Sequence, residues 1–99
     1  MEQLLYVVLI ERSKNYNKMT KVMAEQHVAH IRSLDDEGKL VLCGAFRGWP
    51  GVAGTYIIKA GSYEEAEGIC KAEPLVVAGF ATYQLRTLKV ANRDNNYLL

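Results

Sequence analysis

The sequence has little of what marks several large classes of protein. It contains only two cysteines and two prolines among 99 residues, and its 12 basic and 11 acidic side chains give a net charge of +1. Two cysteines are too few for a disulfide-built scaffold. A nucleic-acid-binding domain usually has a strong basic excess, and anionic membrane surfaces attract clusters of basic residues. We therefore expect neither nucleic acid nor membrane as a partner.

Long apolar runs are also missing. No run approaches the ~20 residues that a membrane-spanning helix needs. The apolar segment Leu4–Ile10 follows Glu2 rather than the basic stretch that opens a secretory signal. Cys43 and Cys70 both lie in apolar segments, so we interpret them as reduced and buried side chains. These features predict a cytoplasmic protein.

The composition is that of a globular domain, with 49% hydrophobic and 23% charged residues. Apolar runs predict strands, an apolar stripe at helical spacing and a capping-box sequence predict helices, and Gly38 and Pro74 mark helix ends. The first helix begins at residue 17 or 20, and its stripe consists of Val22, Met23, Val28, Ile31 and Leu34. The predicted elements are strands over 4–10, 40–46, 55–60 and 80–88, with helices ending at 37 and at about 72.

This order of elements, βαββαβ, predicts an α+β, ferredoxin-like fold. Four antiparallel strands would form one sheet with two helices on one of its faces. We expect a single domain over residues 1–88 and a polar tail over 89–99. The first strand is apolar at every position, although two helices cover only one face. A second copy of the chain is the simplest cover for the other face, so we expect a homodimer through the sheet.

Strand order in this topology brings chemically capable residues to one edge of the sheet. Arg12, Arg47, Trp49 and Glu73 fall there, together with the front half of the first helix. His27 lies four residues after Met23 and four before Ile31, in line with the apolar stripe. A partly desolvated histidine needs a partner for its ring N–H, and a carboxylate such as Glu73 would fix its tautomer and raise its basicity.

Each of these residues also has a purely structural interpretation. His27 could be a hydrogen-bonded histidine of the core or an interface. Arg12 and Arg47 could clamp an anionic group or simply be solvated. Trp49 could roof a pocket or only anchor its loop.

The spacing of His30 from His27 leaves metal ligation open, but nothing specifies further ligands. We therefore expect no metal and interpret His30 as solvated or as part of an interface. No phosphate-binding loop, nucleophile elbow or zinc pattern is present, and we expect no cofactor.

The ordered set of segments resembles the YciI-like, or YCII-related, family. The resemblance covers residues 4–88. The segments that carry it are Glu25–Ile31, Gly38–Gly44, Ser62–Ala66 and Glu73–Gly79.

The resemblance implies a dimeric α/β barrel with a site built from His27 and the acid before the proline, Glu73. The family usually has Asp-Pro at the latter position, and often Gly-Pro where this chain has Gly44 and Ala45. One branch of the family removes chloride from a chlorinated hydroxyhydroquinone, and the wider barrel fold includes lactone isomerases.

Two functions follow. In the first, the protein is a cofactor-independent lyase or isomerase for a cyclic or aromatic substrate. His27 would act as acid or base, Glu73 would orient it, and Arg12 or Arg47 would stabilise a developing enolate or phenolate. In the second, it is a non-catalytic dimeric module that binds a small molecule.

Overall fold

The computed structural model describes residues 3–99, so the predicted domain's first two residues lie outside it. Four strands form one antiparallel sheet in the order β2-β3-β1-β4. The predicted ferredoxin-like βαββαβ arrangement is therefore confirmed. Two short 3-10 segments, Tyr16–Lys18 and Arg93–Leu98, lie outside the main elements. The elements are β1 Leu4–Arg12, α1 Lys21–Asp36, β2 Leu40–Ala45, β3 Val52–Ile58, α2 Tyr63–Lys71, α3 Pro74–Val77 and β4 Ala81–Lys89.

The central strand β1 shows why its sequence is apolar throughout. Successive side chains of a strand point to opposite faces, and Tyr6, Val8 and Ile10 are buried beneath the helices. Val7 and Leu9 lie on the opposite face and are only partly covered. That face carries no helix, so one apolar surface of the sheet stays without a cover in the single chain.

Helix α1 packs on the sheet through a narrower stripe than the sequence predicts. Leu34 is buried, and Met23 and Ile31 pack against the core. The expectation that Val22 and Val28 belong to this stripe is wrong, because their side chains are 60% and 49% exposed. At 100° per residue both positions are turned well away from the line through the buried residues.

Helix α2 begins and ends where its sequence predicts. The Ser62 hydroxyl accepts a hydrogen bond from the Glu65 backbone N–H at 3.1 Å. The Glu65 carboxylate reaches back to the N–H of Gly61 at 2.5 Å. After the α2 C-cap, Pro74 opens a further single turn, α3, that the sequence analysis did not predict. Proline suits a first helical position, where its missing N–H costs nothing.

The predicted polar tail contains the short 3-10 segment Arg93–Leu98. The side chains of Asn92 and Asn95 accept hydrogen bonds from each other's backbone N–H, at 3.2 and 3.0 Å, and so cap the last 3-10 segment. The final residues Tyr97, Leu98 and Leu99 are exposed. Across residues 3–99, no helix combines the length and the apolar character that crossing a bilayer requires.

The two cysteines differ in environment. Cys70 is fully buried in α2, as predicted, but Cys43 is exposed, which corrects the expectation that both are buried. Cys43 lies on β2, which is an edge strand of the sheet. Burial raises the pKa of the Cys70 thiol to about 12, and the nearby Glu67 carboxylate acts in the same direction.

We expect a single fast-reacting thiol in the native protein. Thiolate is the reactive form, so exposed Cys43 should react with 5,5′-dithiobis(2-nitrobenzoate) within minutes at pH 8, whereas Cys70 should react only on unfolding. The measurement is the absorbance of released thionitrobenzoate with and without denaturant. The Cys43→Ser variant is the control and should lose the fast phase alone. Two fast thiols, or none, would contradict the assignment.

Candidate active site

A cavity of about 590 Å³ lies between α1 and the strands β2 and β3. This volume is in the range of small-molecule sites. Small residues leave the space open, since Gly44, Ala45, Ala53 and Gly54 all line it. Gly54 is required for strand pairing as well, because a Cβ there would lie 2.5 Å from the carbonyl oxygen of Gly44. The wall is largely apolar, with Met19, Ile31, Leu40 and Leu75 contributing to it.

His27 stands in the wall of this cavity. Its Nδ1 lies 2.5 Å from Oε1 of Glu73. A carboxylate can only accept, so Nδ1 carries a proton, and in the neutral ring Nε2 then holds the free lone pair. No group within residues 3–99 hydrogen-bonds to Nε2. The side chain is 29% exposed. The Nδ1 edge of the ring is therefore fixed by Glu73, while the Nε2 edge has no partner in the described part of the chain.

Glu73 is the only buried charged residue in the part of the chain described, with no exposed surface. Its second oxygen, Oε2, accepts the backbone N–H of Leu75 at 2.9 Å, which caps the start of α3. Glutamate is one methylene longer than the aspartate that is usual at this position in the family that the sequence resembles. With this side chain, the carboxylate contacts the Leu75 N–H and the His27 ring at the same time. The carboxylate thus has one partner on each oxygen, as a buried charge requires.

The three other residues predicted for the site lie at the same edge of the sheet but not in the cavity wall. The Arg12 guanidinium donates hydrogen bonds to the carbonyl oxygens of Trp49 and Pro50 at 3.1 and 2.9 Å. It also lies 5.2 Å from the ring centroid of Tyr16, and Tyr16 does line the cavity. Arg12 therefore connects the β2–β3 loop to the cavity mouth.

The remaining two belong to the β2–β3 loop. Trp49 packs edge-to-face on Phe46, with ring centroids 5.0 Å apart, and stays 47% exposed. Arg47 is exposed. The structure thus brings His27 and Glu73 into contact and leaves Arg47 and Trp49 on the loop outside the cavity.

Sequence analysis missed the most deeply buried polar group of the cavity wall, the Tyr56 hydroxyl. Tyr56 is 1% exposed, and its ring meets the His30 ring edge-to-face with centroids 6.3 Å apart. Burial, with a contribution from the charge of Glu73, raises the pKa of Tyr56 far above its ordinary value. Strand alternation marks Tyr56 only as a core residue, so nothing in the sequence distinguishes it.

His30 is partly exposed, but its Nε2 is buried, which contradicts the interpretation of this ring as solvated. The ring lies against Tyr56 in the interior. Within residues 3–99, no three His, Cys, Asp or Glu side chains come together in a group that could hold a metal ion.

One solved structure similar to this fold is 5-chloro-2-hydroxyhydroquinone dehydrochlorinase from Burkholderia phenoliruptrix, in complex with 2,5-dihydroxybenzoquinone. The two chains share 17% sequence identity and superpose with a TM-score of 0.61, over 95% of this chain and 99% of that one. At this identity the similarity establishes the fold.

A search of curated proteins gives no match. The YCII-related domain, by contrast, matches residues 4–89. That stretch contains the complete sheet, all three α-helices and both members of the His27–Glu73 pair. Because the match covers nearly the whole chain, the protein belongs to the YCII-related domain family.

Proposed function

We propose that the protein is a small-molecule lyase or isomerase in which His27 and Glu73 act as an acid/base pair. One observation carries the proposal: a buried carboxylate holds Nδ1 of a histidine whose other nitrogen is free, in the wall of a largely apolar cavity. A carboxylate in this position fixes the tautomer and stabilises the imidazolium that forms when the ring takes up a proton.

The chemistry begins with proton transfer to Nε2 of His27. Nε2 accepts a proton from a carbon next to a carbonyl carbon of the substrate, and the electron pair of the broken C–H bond forms an enolate. A hydroxylated aromatic ring offers such a C–H bond in its keto tautomer, and the anion is then a phenolate. In an elimination, that electron pair then forms a C=C bond and expels a leaving group. In an isomerisation, His27 returns the proton to a different carbon. The charge of Glu73 offsets the imidazolium throughout.

The cavity favours a cyclic or aromatic substrate. Its volume of about 590 Å³ is sufficient for a substituted ring, and its wall is mostly apolar. The structurally similar dehydrochlorinase acts, by its name, on a chlorinated hydroxyhydroquinone. We carry that substrate class over as a proposal, and chlorinated hydroxyhydroquinones and unsaturated lactones are the compounds to test first.

Arg12, Arg47 and Trp49 take supporting roles in this proposal. Arg12 holds the β2–β3 loop against Tyr16 at the cavity mouth through its two carbonyl contacts. Arg47 and Trp49 lie on that loop, from which they would meet a substrate as it enters. The Arg47 guanidinium would there stabilise a negatively charged oxygen of the substrate.

We also propose a homodimer formed through the open face of the sheet. Leu5, Val7 and Leu9 of β1 lie on this face. So do Leu42 on the edge strand β2 and Leu88 on β4, which are 60% and 44% exposed. Along β4 this face also carries Arg86 and Gln84, which are hydrogen-bonded to each other, and Gln84 donates to Glu11. An exposed apolar patch bordered by polar residues typically marks an interface. We also propose a cytoplasmic location, where reducing conditions would keep the two free cysteines as thiols.

His27→Gln should remove turnover while leaving the fold intact. General acid–base catalysis is typically worth about 10²–10⁴-fold in rate, so we expect kcat to fall by that factor. The assay follows chloride release and product mass with chlorinated hydroxyhydroquinones, and product mass alone with lactones. Glu25→Gln, an exposed position on the same helix, is the control and should keep full activity. Unchanged turnover in His27→Gln would contradict the proposal. Binding of a broad panel without conversion would favour the non-catalytic module.

Glu73→Gln should cost about as much activity as the loss of His27. Glutamine keeps the length and the acceptor for the Leu75 N–H, but its amide NH₂ would then face the histidine. That donor favours the tautomer with its proton on Nε2, which can no longer act as a base. The measurements are kcat and the ¹⁵N chemical shifts of the His27 ring. Full activity with an unchanged tautomer would argue against the acid/base pair.

A lysine on the open sheet face should dissociate the dimer. Val7→Lys would place a second positive charge beside Arg86, its partner in register on β4. Burying that charge in an interface would be costly in desolvation. We expect the mass measured by light scattering to fall from that of two chains to that of one. Val22→Lys is the matched control, because Val22 is exposed on α1, and it should leave the dimer intact. A wild-type monomer, or a Val7→Lys dimer, would exclude this interface.

A further inference from the structure

Two buried side-chain atoms in residues 3–99 lack a hydrogen-bond partner: the Tyr56 hydroxyl and His30 Nε2. They belong to neighbouring rings that meet edge-to-face. Buried polar groups in native proteins are nearly always hydrogen-bonded, because burial removes their bonds to water without replacing them. Two unpaired polar atoms on adjoining rings therefore indicate a position that a further polar atom occupies.

This position adjoins the cavity. Tyr56 itself lines the cavity, and so does Cys43, its partner in register on β2. On α1, both His27, one turn before His30, and Ile31, the next residue, line the same space. Tyr56 thus belongs to the cavity wall. His30 is not itself a lining residue, but it lies between the lining residues His27 and Ile31 on α1, on the same helix face as the proposed base.

The chemistry of the two groups selects the kind of atom that fits. Tyr56 keeps its proton at any physiological pH, because burial and the charge of Glu73 both raise its pKa. Its hydroxyl can therefore donate. A neutral imidazole nitrogen accepts or donates according to its tautomer. An uncharged hydroxyl oxygen, which both donates and accepts, satisfies such a pair. A carboxylate would gain no cation here and would lie near the charge of Glu73.

We propose that Tyr56 and His30 form a hydroxyl-binding position at the inner wall of the cavity. This position binds one hydroxyl group of a ligand, while the reacting part of the same ligand, with its other hydroxyl group, faces His27. The inference rests on the proposed function to the extent that the cavity is the ligand site. The ligand class is a small ring that carries two hydroxyl groups, and a water molecule takes the position when no ligand is bound.

The test compares ring diols with monohydroxy analogues. The probes are hydroquinone against 4-methylphenol and resorcinol against 3-methylphenol, so that a methyl group replaces one hydroxyl in each pair. Affinities are measured by calorimetry under reducing conditions. For at least one pair, we expect Tyr56→Phe to lower the affinity ratio of diol to methylphenol by about fivefold or more, the usual worth of one hydrogen bond. Tyr6→Phe is the matched control: Tyr6 is buried on β1 outside the cavity wall, and the ratio should not change.

His30→Phe keeps a ring against Tyr56 and removes both nitrogens, so it decides the question if Tyr56→Phe fails to fold. It too should lower the ratio. An unchanged ratio in both variants, or no binding of any probe by the wild type at millimolar concentration, would overturn the inference. The assay needs no turnover. If these ratios do not change while turnover still depends on His27, the hydroxyl position falls and the acid/base proposal stands.

Discussion

The buried carboxylate of Glu73 is the constraint on which the site depends. A charge without exposed surface must be paired on each oxygen, and here the two partners come from different elements: His27 on α1 and the Leu75 N–H at the start of α3. Leaving such a group unsatisfied costs about 1–3 kcal/mol or more. The fold therefore cannot move α1 relative to α3 without exposing or unpairing this carboxylate. The interaction that orients the histidine also holds the two helices together.

The cavity follows from the same arrangement. The His27–Glu73 contact ties α1 to the start of α3. Between α1 and the strands β2 and β3, the residues Gly44, Ala45, Ala53 and Gly54 are too small to fill the space, which remains a cavity. Larger side chains at Ala45 or Ala53 would fill the space and bury more apolar surface. A small domain that leaves such a volume unfilled gives up packing energy, as functional sites commonly do. The exposed thiol of Cys43 reflects this incomplete cover of the edge strand.

Features that depend on local patterns and on strand order could be predicted from the sequence. Alternation and helical spacing give the elements, and the βαββαβ order brings residue 27 and residue 73 to one edge, 46 positions apart. The predictions of side-chain burial were wrong where burial depends on the packing of a neighbouring element. Cys43 lies in an apolar run, but it is on an edge strand and faces the cavity beneath α1 rather than packed side chains. Val22 and Val28 are apolar, yet they lie beside the contact line of their helix rather than on it.

The contact between Tyr56 and His30 could not be predicted from sequence patterns, because it too depends on how α1 packs on the sheet. Period-two alternation places Tyr56 in the core, and a core tyrosine is expected to find a partner for its hydroxyl. The absence of one becomes visible only when α1 sets His30 against the ring. His27 and His30 lie three residues apart on one helix, but a carboxylate orients the first, whereas the second meets an uncharged phenol. This difference in partner gives them different chemistry: His27 is equipped to move a proton, and His30 is equipped to hold a neutral hydroxyl.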